Sequence, residues 1–531
     1  MVAVHCFSDG APEAPITEPR DAARLHPSTS PAKWLIVRGL HLEPCSRSRL
    51  DSSGVELSAR DDSGMTSYDL AERTWGLTWA QRRRRSITLV AVSLAFALVQ
   101  LDATIVNVAL QTLRADLGGG VSAAQWAVDG YAVPFAACML TAGALGDRYG
   151  HRRTCVAGFV VFGLASALAA LAGGWPVLIG ARALQGVGAA LMLPASLAMI
   201  TELYPDPRER SRALGVWGGI ATLGFASGPL LGGVLITVSG WPAIFWINLP
   251  VAAVVGGTIA VLGPRGRSRP RRIHPFGTLL GTLALASLTA GIIESGERRA
   301  SAAAGALALG IAAGWCFARS ERRALEPLIP AELTGSVPFR WSLLTGFCFN
   351  FAMYGALLCV SLTLQSAYGF SALEGGLAVL PMAAGVGIAA ISGGRLAGAF
   401  GPRRPMLLGF SCAGVGAVVT AAGAVAASTA LIIAGLVVIG LCCFAMPAMT
   451  SVAINASPAH HAGLAGGSFN TARQIGGAIG IALLGSVLNA GGARTGFAVA
   501  LGVAGTVSAV ALLSTVRATA ARHRARSGEE R

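Results

Sequence analysis

Charge is scarce in this chain. Only 13% of its 531 residues are Asp, Glu, Lys or Arg, and Lys33 is the only lysine. No soluble domain of this length carries so little charge beside 53% hydrophobic residues and a mean hydropathy of +0.61. The cysteines form no CxxC pair and no Cys/His spacing suited to zinc, so no metal centre and no disulfide framework is expected. No Walker A loop, GxSxG elbow or HExxH helix is present, and no catalytic role is expected. Without a nucleotide-binding domain, any work must draw on an ion gradient. The formal net charge of +15 raises the question of nucleic acid. The arginines answer it, since they stand in short clusters between apolar runs.

What the chain has is a succession of apolar runs of about 20 residues, each long enough to cross a bilayer. Fourteen are read, at 87–110, 125–144, 154–173, 176–200, 212–237, 243–263, 276–294, 301–319, 341–364, 375–394, 405–424, 428–450, 464–489 and 495–516. The fold class is an all-α polytopic membrane protein. Arginines mark alternate loops: Arg82 to Arg85; Arg148, Arg152 and Arg153; Arg208 to Arg212; Arg265 to Arg272; Arg319 to Arg323; Arg403 and Arg404; and the tail from Arg517. The positive-inside rule then puts both termini in the cytoplasm. Residues 1–85 are polar, without a sustained period or a signal peptide, and read as a disordered cytoplasmic tail. A start at Met65 is one reading, because nothing upstream of it offers an apolar face.

The domain reading is six, two and six. It has a bundle over 86–263, a basic linker with two extra helices over 264–335, a second bundle over 336–517 and a basic tail over 518–531. Gly143-Ala-Leu-Gly-Asp-Arg-Tyr-Gly-His-Arg-Arg153 follows span two, and Gly394-Arg-Leu-Ala-Gly-Ala-Phe-Gly-Pro-Arg-Arg404 follows span ten. Such paired motifs are expected of a transporter built from two related halves.

Within the spans, ionisable groups stand out because each costs a few kcal/mol in a bilayer. Asp102, Asp129 and Arg182 are such groups. At about 1.5 Å per residue, all three lie roughly 6–9 Å below the outer face. They share one layer and are expected to meet. Desolvation favours the neutral carboxyl and a nearby arginine favours the charged one, so a changing distance could move a proton. The alternatives are a static ion pair and, for Asp129, a solvated rim position. Span five contains Gly224, Gly228, Pro229, Gly232 and Gly233, and neighbouring helices must satisfy its freed carbonyls. In the second half Asn350, Tyr354, Arg473 and Gln474 are candidate cavity residues, as is Asn107 in span one. The near absence of acids there makes recognition of dications unfavourable.

These motifs together resemble the fourteen-helix drug:proton antiporter branch of the major facilitator superfamily. The G-x-x-x-G-P-x-x-G-G stretch from Gly224 is similar to the family's antiporter signature on helix five. Gly143, Asp147, Arg148, Gly150, Arg152 and Arg153 match its loop signature after helix two, with His151 at a usually basic position. Leu101-Asp-Ala-Thr-Ile-Val-Asn-Val-Ala-Leu110 resembles the branch signature on helix one. Trp126 to Tyr131 matches at Asp129, and Arg182 to Gly186 matches the R-x-x-Q-G motif with Gln185. The resemblance implies two six-helix bundles plus two inserted helices and proton coupling through Asp102, Asp129, Arg182 and Gln185. It also implies a conformational latch at the helix-two loop. The second copy lacks the acid, so a weaker latch is implied there. The implied protein is a proton-coupled exporter of hydrophobic or amphiphilic small molecules in the cell membrane. It would be monomeric and driven by the proton gradient without a bound cofactor. Its partners would be protons, the bilayer and the exported molecule, not nucleic acid. Export of one endogenous metabolite or siderophore, or a non-transporting sensor on the same fold, stays open.

Overall fold

The computed structural model describes residues 79–265, 275–324, 327, 331–457 and 462–529. The Met65 start, the first 78 residues of the tail and most of the basic linker lie outside these. Among the described residues, fourteen helices are long and apolar enough to cross a membrane. We number them α1 (Trp79–Leu117), α2 (Val121–Tyr149), α3 (His151–Ala170), α4 (Trp175–Leu203), α5 (Pro207–Ser239) and α6 (Ala243–Leu262). A hairpin follows, α7 (Pro275–Gly296) and α8 (Ala300–Arg323). Then come α9 (Val337–Ala367), α10 (Ala372–Phe400), α11 (Arg403–Val425), α12 (Thr429–Asn455), α13 (Ala462–Gly491) and α14 (Phe497–Glu529). Every span read from the sequence corresponds to one of these helices.

Helix ends follow local chemistry. Ser371 caps α10 by accepting from the Glu374 amide at 3.3 Å, while Glu374 accepts from the Ser371 amide at 2.8 Å. Ser336 and Ser428 cap α9 and α12 in the same way. The α2–α3 break is the single residue Gly150, at φ +92°, and Gly401 at φ +77° turns α10 into α11. Both are conformations that favour glycine, and they fall at equivalent places in the two sequence repeats. Two tail boundaries are corrected. α1 starts at Trp79, before the expected end of the tail, and α14 continues through the basic segment to Glu529. Residues 79–86 and 517–527 are polar but contain no Pro or Gly to stop the helix.

The packing repeats as well. α1 lies on α5 and α6, α2 on α4, and α3 on α4 and α6; correspondingly α9 lies on α13 and α14, α10 on α12, and α11 on α12 and α14. The two groups meet along two seams, α5 against α10 and α2 against α13. α7 packs on both α2 and α13, whereas α8 is held by α7 and leaves Ile311 and Trp315 exposed.

Candidate functional site

Pro229 has no amide hydrogen, so the carbonyl of Phe225 one turn earlier loses its helical donor. The Thr104 hydroxyl on α1 stands in this vacancy, 3.1 Å from the Phe225 oxygen, and shares its one proton with the Gln100 and Leu101 carbonyls of its own helix at 3.1 and 3.2 Å. It comes so close because Gly228 has no side chain; a Cβ there would meet Thr104 Cβ at 2.9 Å. Gly224 lies likewise on the Ala97 backbone and Gly232 on Ile105. The other face of the motif meets the second bundle. A Cβ on Gly233 would stand 2.9 Å from Leu373 Cα, and Gly376 of α10 abuts the Pro229 carbonyl. Both contacts lie at the end of the bundle remote from the arginine clusters. Toward the arginine-rich end, Gly215 and Gly219 of α5 and Gly387 and Gly394 of α10 have open space where a Cβ would be.

Two residues before Thr104 on α1, about half a turn away, Asp102 belongs to a fully buried ion pair. Asp102 accepts from Arg182 Nη1 on α4, and neither side chain has exposed surface. Arg182 is held on three further sides: Nε donates to the Ala127 carbonyl at 2.9 Å, Nη1 to Gln185 Oε1 at 3.0 Å, and the guanidinium lies 4.5 Å over the Tyr131 ring. Gln185 Nε2 reaches Asp102 Oδ1 at 3.2 Å and Ser166 Oγ at 2.8 Å. Asn248 Nδ2 of α6 donates to Asp102 Oδ1 at 3.0 Å. Five helices therefore converge on one carboxylate and one guanidinium. The sequence reading found Asp102, Arg182 and Gln185 but missed Ser166, Asn248 and the ring of Tyr131. Asn248 had a signal, since it is the one amide in the sixth apolar run and lies at about the same depth.

Asp129 does not join this group, contrary to the expectation of a shared cluster. It is fully buried, and neither carboxylate oxygen has a hydrogen-bond partner. The physical reason is azimuth. Gln125, one turn before, donates to the Ala482 carbonyl of α13 at 2.9 Å, and Val133, one turn after, packs with Leu285 of α7 and Ala478 of α13. Asp129 lies on this stripe, at the junction of α2, α7 and α13. Thr289, one turn beyond Leu285, is also buried there with an unpartnered hydroxyl. The burial also overturns the solvated-rim alternative.

At the arginine-rich end, the loop from Gly143 to Arg153 is organised by His151. Its Nε2 lies 3.6 Å from Asp147 and 3.9 Å from Glu202 of α4, a partner the sequence reading missed. Gly146 makes room for the imidazole, whose Nδ1 would stand 2.5 Å from a Cβ. Arg148 lies over the Tyr149 ring and the Arg152 stem lies against Gly263. Arg153 is exposed.

Between the bundles a cleft is lined by Phe96, Gln100, Thr222 and Phe225 from the first and by Phe349, Asn350, Met353, Tyr354, Met446 and Arg473 from the second. The Phe225 ring meets Tyr354 edge-on across it at 5.9 Å. Only about 30 Å³ is open to the centre of a water molecule. That suits one or two waters, far below the roughly 300 Å³ of a drug-sized site. Asn350, Tyr354 and Arg473 line the cleft. Asn107 and Gln474 are buried outside its lining, and the Asn107 amide bonds back to the Ala103 and Thr104 carbonyls of its own helix.

The family model described as Major Facilitator Superfamily matches residues 92–481. The chain is 33% identical over 418 residues to the methylenomycin A resistance protein of Bacillus subtilis, covering 76% of this chain and 87% of that one. It is 35% identical over 415 residues to the multidrug resistance protein Stp of Mycobacterium tuberculosis, with 77% and 76% covered. It is 34% identical over 416 residues to the tetracenomycin C resistance and export protein of Streptomyces glaucescens, with 76% and 75% covered. Among solved structures, a POT family transporter in complex with 5-aminolevulinic acid aligns with TM-score 0.62 at 14% identity, over 82% of this chain and 97% of that one. A bacterial homologue of the human lysosomal transporter Spinster aligns with TM-score 0.57 at 19% identity, over the same shares.

Proposed function

The chain belongs to the major facilitator superfamily, and from that premise we propose that it is a proton-coupled exporter of hydrophobic or amphiphilic small molecules. The resistance and export proteins that it resembles support drugs or antibiotics as the cargo. The observation that carries the coupling is a stretch of α1 barely longer than one turn. Gln100 lines the cleft, Asp102 holds Arg182, and Thr104 meets the freed Phe225 carbonyl of α5. Cargo, proton and the α5–α10 seam are therefore all read by one short segment.

The chemistry follows from the partners of Asp102. As a carboxylate it accepts from Arg182, Gln185 and Asn248. Protonation removes the charge, and charge-assisted hydrogen bonds are roughly twice as strong as neutral ones. Arg182 is then left with a carbonyl, an amide and two aromatic faces, too little to offset a buried charge. The arrangement that suits the charged pair no longer suits the neutral acid, and α1 shifts against α4. Because α1 also carries Thr104, that shift reaches the Gly228–Pro229 contact and the seam at Gly233 and Gly376. We assign Asp129 a second protonatable position, where α7 meets both bundles. His151, Asp147 and Glu202 form the latch at the opposite end. By the arginine distribution the Arg148–Arg153 end is cytoplasmic, both termini lie on that side, and the membrane is the cell membrane. The protein works as a monomer, without a bound cofactor.

The test uses inside-out vesicles containing the full-length protein and energised to an acidic interior. Addition of a transported compound from a panel of hydrophobic antibiotics and dyes should partly collapse the pH gradient. Vesicles without the protein should show none. A panel that moves no protons but is accumulated all the same would contradict antiport.

A further inference from the structure

The cleft contains one charge, and it is positive. Arg473 projects from α13 with 6% of its surface exposed. Its Nε donates to Asn350 Oδ1 at 3.3 Å, its Nη1 to Asn470 Oδ1 at 3.2 Å, and its guanidinium lies 5.6 Å over the Phe349 ring. All of these partners are neutral. Within α9 to α13 the one acidic residue is Glu374, which is occupied in the capping box of α10. Asp102, the nearest acid on α1, has no exposed surface and is committed to Arg182. Asn350 adds a second signal: fully buried and turned to the cleft, it holds Arg473 with its oxygen and has no acceptor for Nδ2. A guanidinium and an amide N–H thus face the same space, with no anion among the side chains to receive them. The walls around them are Phe96, Phe225, Phe349 and Met446.

We propose that the cleft selects aromatic or alicyclic oxyanions, such as carboxylates, phenolates and enolates, and discriminates against organic cations. The inference rests on the proposed exporter function and names its substrate class. The chemistry is that of a desolvated charge. A buried guanidinium without a counter-ion is satisfied when a ligand oxygen supplies the charge, and a charge-assisted hydrogen bond forms in place of one to water. A cationic ligand meets uncompensated repulsion at the same place. The aromatic walls supply apolar burial to either ligand, so they set affinity and not charge preference.

Two xanthene dyes of similar body separate charge from shape: fluorescein, an oxyanion, and rhodamine 6G, a permanent cation. Binding of each is followed by fluorescence anisotropy with the purified full-length protein in phosphatidylcholine nanodiscs. About 0.5 M salt screens the basic surface, where the Debye length falls to a few ångströms. The wild-type protein is expected to bind fluorescein at least tenfold more tightly than rhodamine 6G. Arg473→Gln should remove that preference by weakening fluorescein at least tenfold while rhodamine 6G binds as well or better. Arg473→Lys should restore part of it, and Asn350→Ala should weaken fluorescein severalfold. Wild-type binding of rhodamine 6G as tight as that of fluorescein, or binding of neither, overturns the proposal without reference to any variant. Equal loss of both dyes in Arg473→Gln with the wild-type preference absent does the same. Fluorescein preference without pH-driven transport would leave the oxyanion site standing and refute the exporter reading instead.

Discussion

Removing either partner of the Asp102–Arg182 pair should cost far more than removing both. Both side chains have no exposed surface, and breaking such a pair leaves an uncompensated charge at a cost of about 3–5 kcal/mol. In Arg182→Gln, Asp102 keeps two neutral donors, Gln185 at 3.2 Å and Asn248 at 3.0 Å, which place the cost near the lower end, about 3 kcal/mol. In Asp102→Asn, Arg182 keeps the Ala127 carbonyl, Gln185 Oε1 and the Tyr131 and Phe245 rings but no anion, so the cost is about 4 kcal/mol. The double variant has no charge to leave unpaired, and neutral replacement of a buried pair is often close to harmless. We expect it to lose about 1–2 kcal/mol for imperfect hydrogen bonding. The coupling energy of the cycle is then about 5 kcal/mol. The assay is equilibrium unfolding of the purified protein in mixed micelles with rising SDS fraction, for all four proteins. Additivity within about 0.5 kcal/mol would show that the two charges do not share one buried environment, and the account of their chemistry would fail.

Thr104→Val should leave the Phe225 carbonyl orphaned in an apolar setting and cost about 1–3 kcal/mol in the same assay, with Thr104→Ser close to wild type. Asp129→Leu should stabilise the protein by about 1–3 kcal/mol, because it removes a buried carboxylate without partners, while it lowers gradient-driven transport. Unfolding midpoints and vesicle uptake of that variant should therefore move in opposite directions. A side chain at Gly233 would meet the α10 backbone, 2.9 Å from Leu373 Cα and 3.0 Å from the Ala372 carbonyl, so Gly233→Val should force this seam apart and lower vesicle transport. Wild-type transport by Gly233→Val would show that the close α5–α10 contact is not needed.

The spans were legible because apolar runs of this length have few alternatives in water or lipid, and each predicted run became a helix. Asp102 and Arg182 were legible for the opposite reason: a charge inside such a run is expensive, and rise per residue places it at a depth. Depth does not give azimuth, however. Asp129 shares the depth of the pair but faces α7 and α13, a direction fixed by Gln125 and Val133 and visible only once the neighbours of α2 are known. Asn107 failed likewise, because an amide can bond to its own helix as easily as face a cavity. Ser166 was hidden by its ordinariness, since serines in apolar helices usually bond back to their own carbonyls, as Ser166 also does to Phe162. The role of Thr104 was half legible: Pro229 announced an orphaned carbonyl, but only the close approach at Gly228 shows who satisfies it.

The central claim is that Asp102 couples proton movement to the conformational cycle. It is tested most directly by comparing two modes of transport in Asp102→Asn, using one compound that wild-type vesicles accumulate. The account predicts that the variant loses accumulation driven by a pH gradient but retains exchange of labelled for unlabelled compound at equal pH, since exchange needs the cleft and the moving seams but no net proton transfer. Accumulation at the wild-type level in Asp102→Asn would contradict the account and move the coupling group elsewhere.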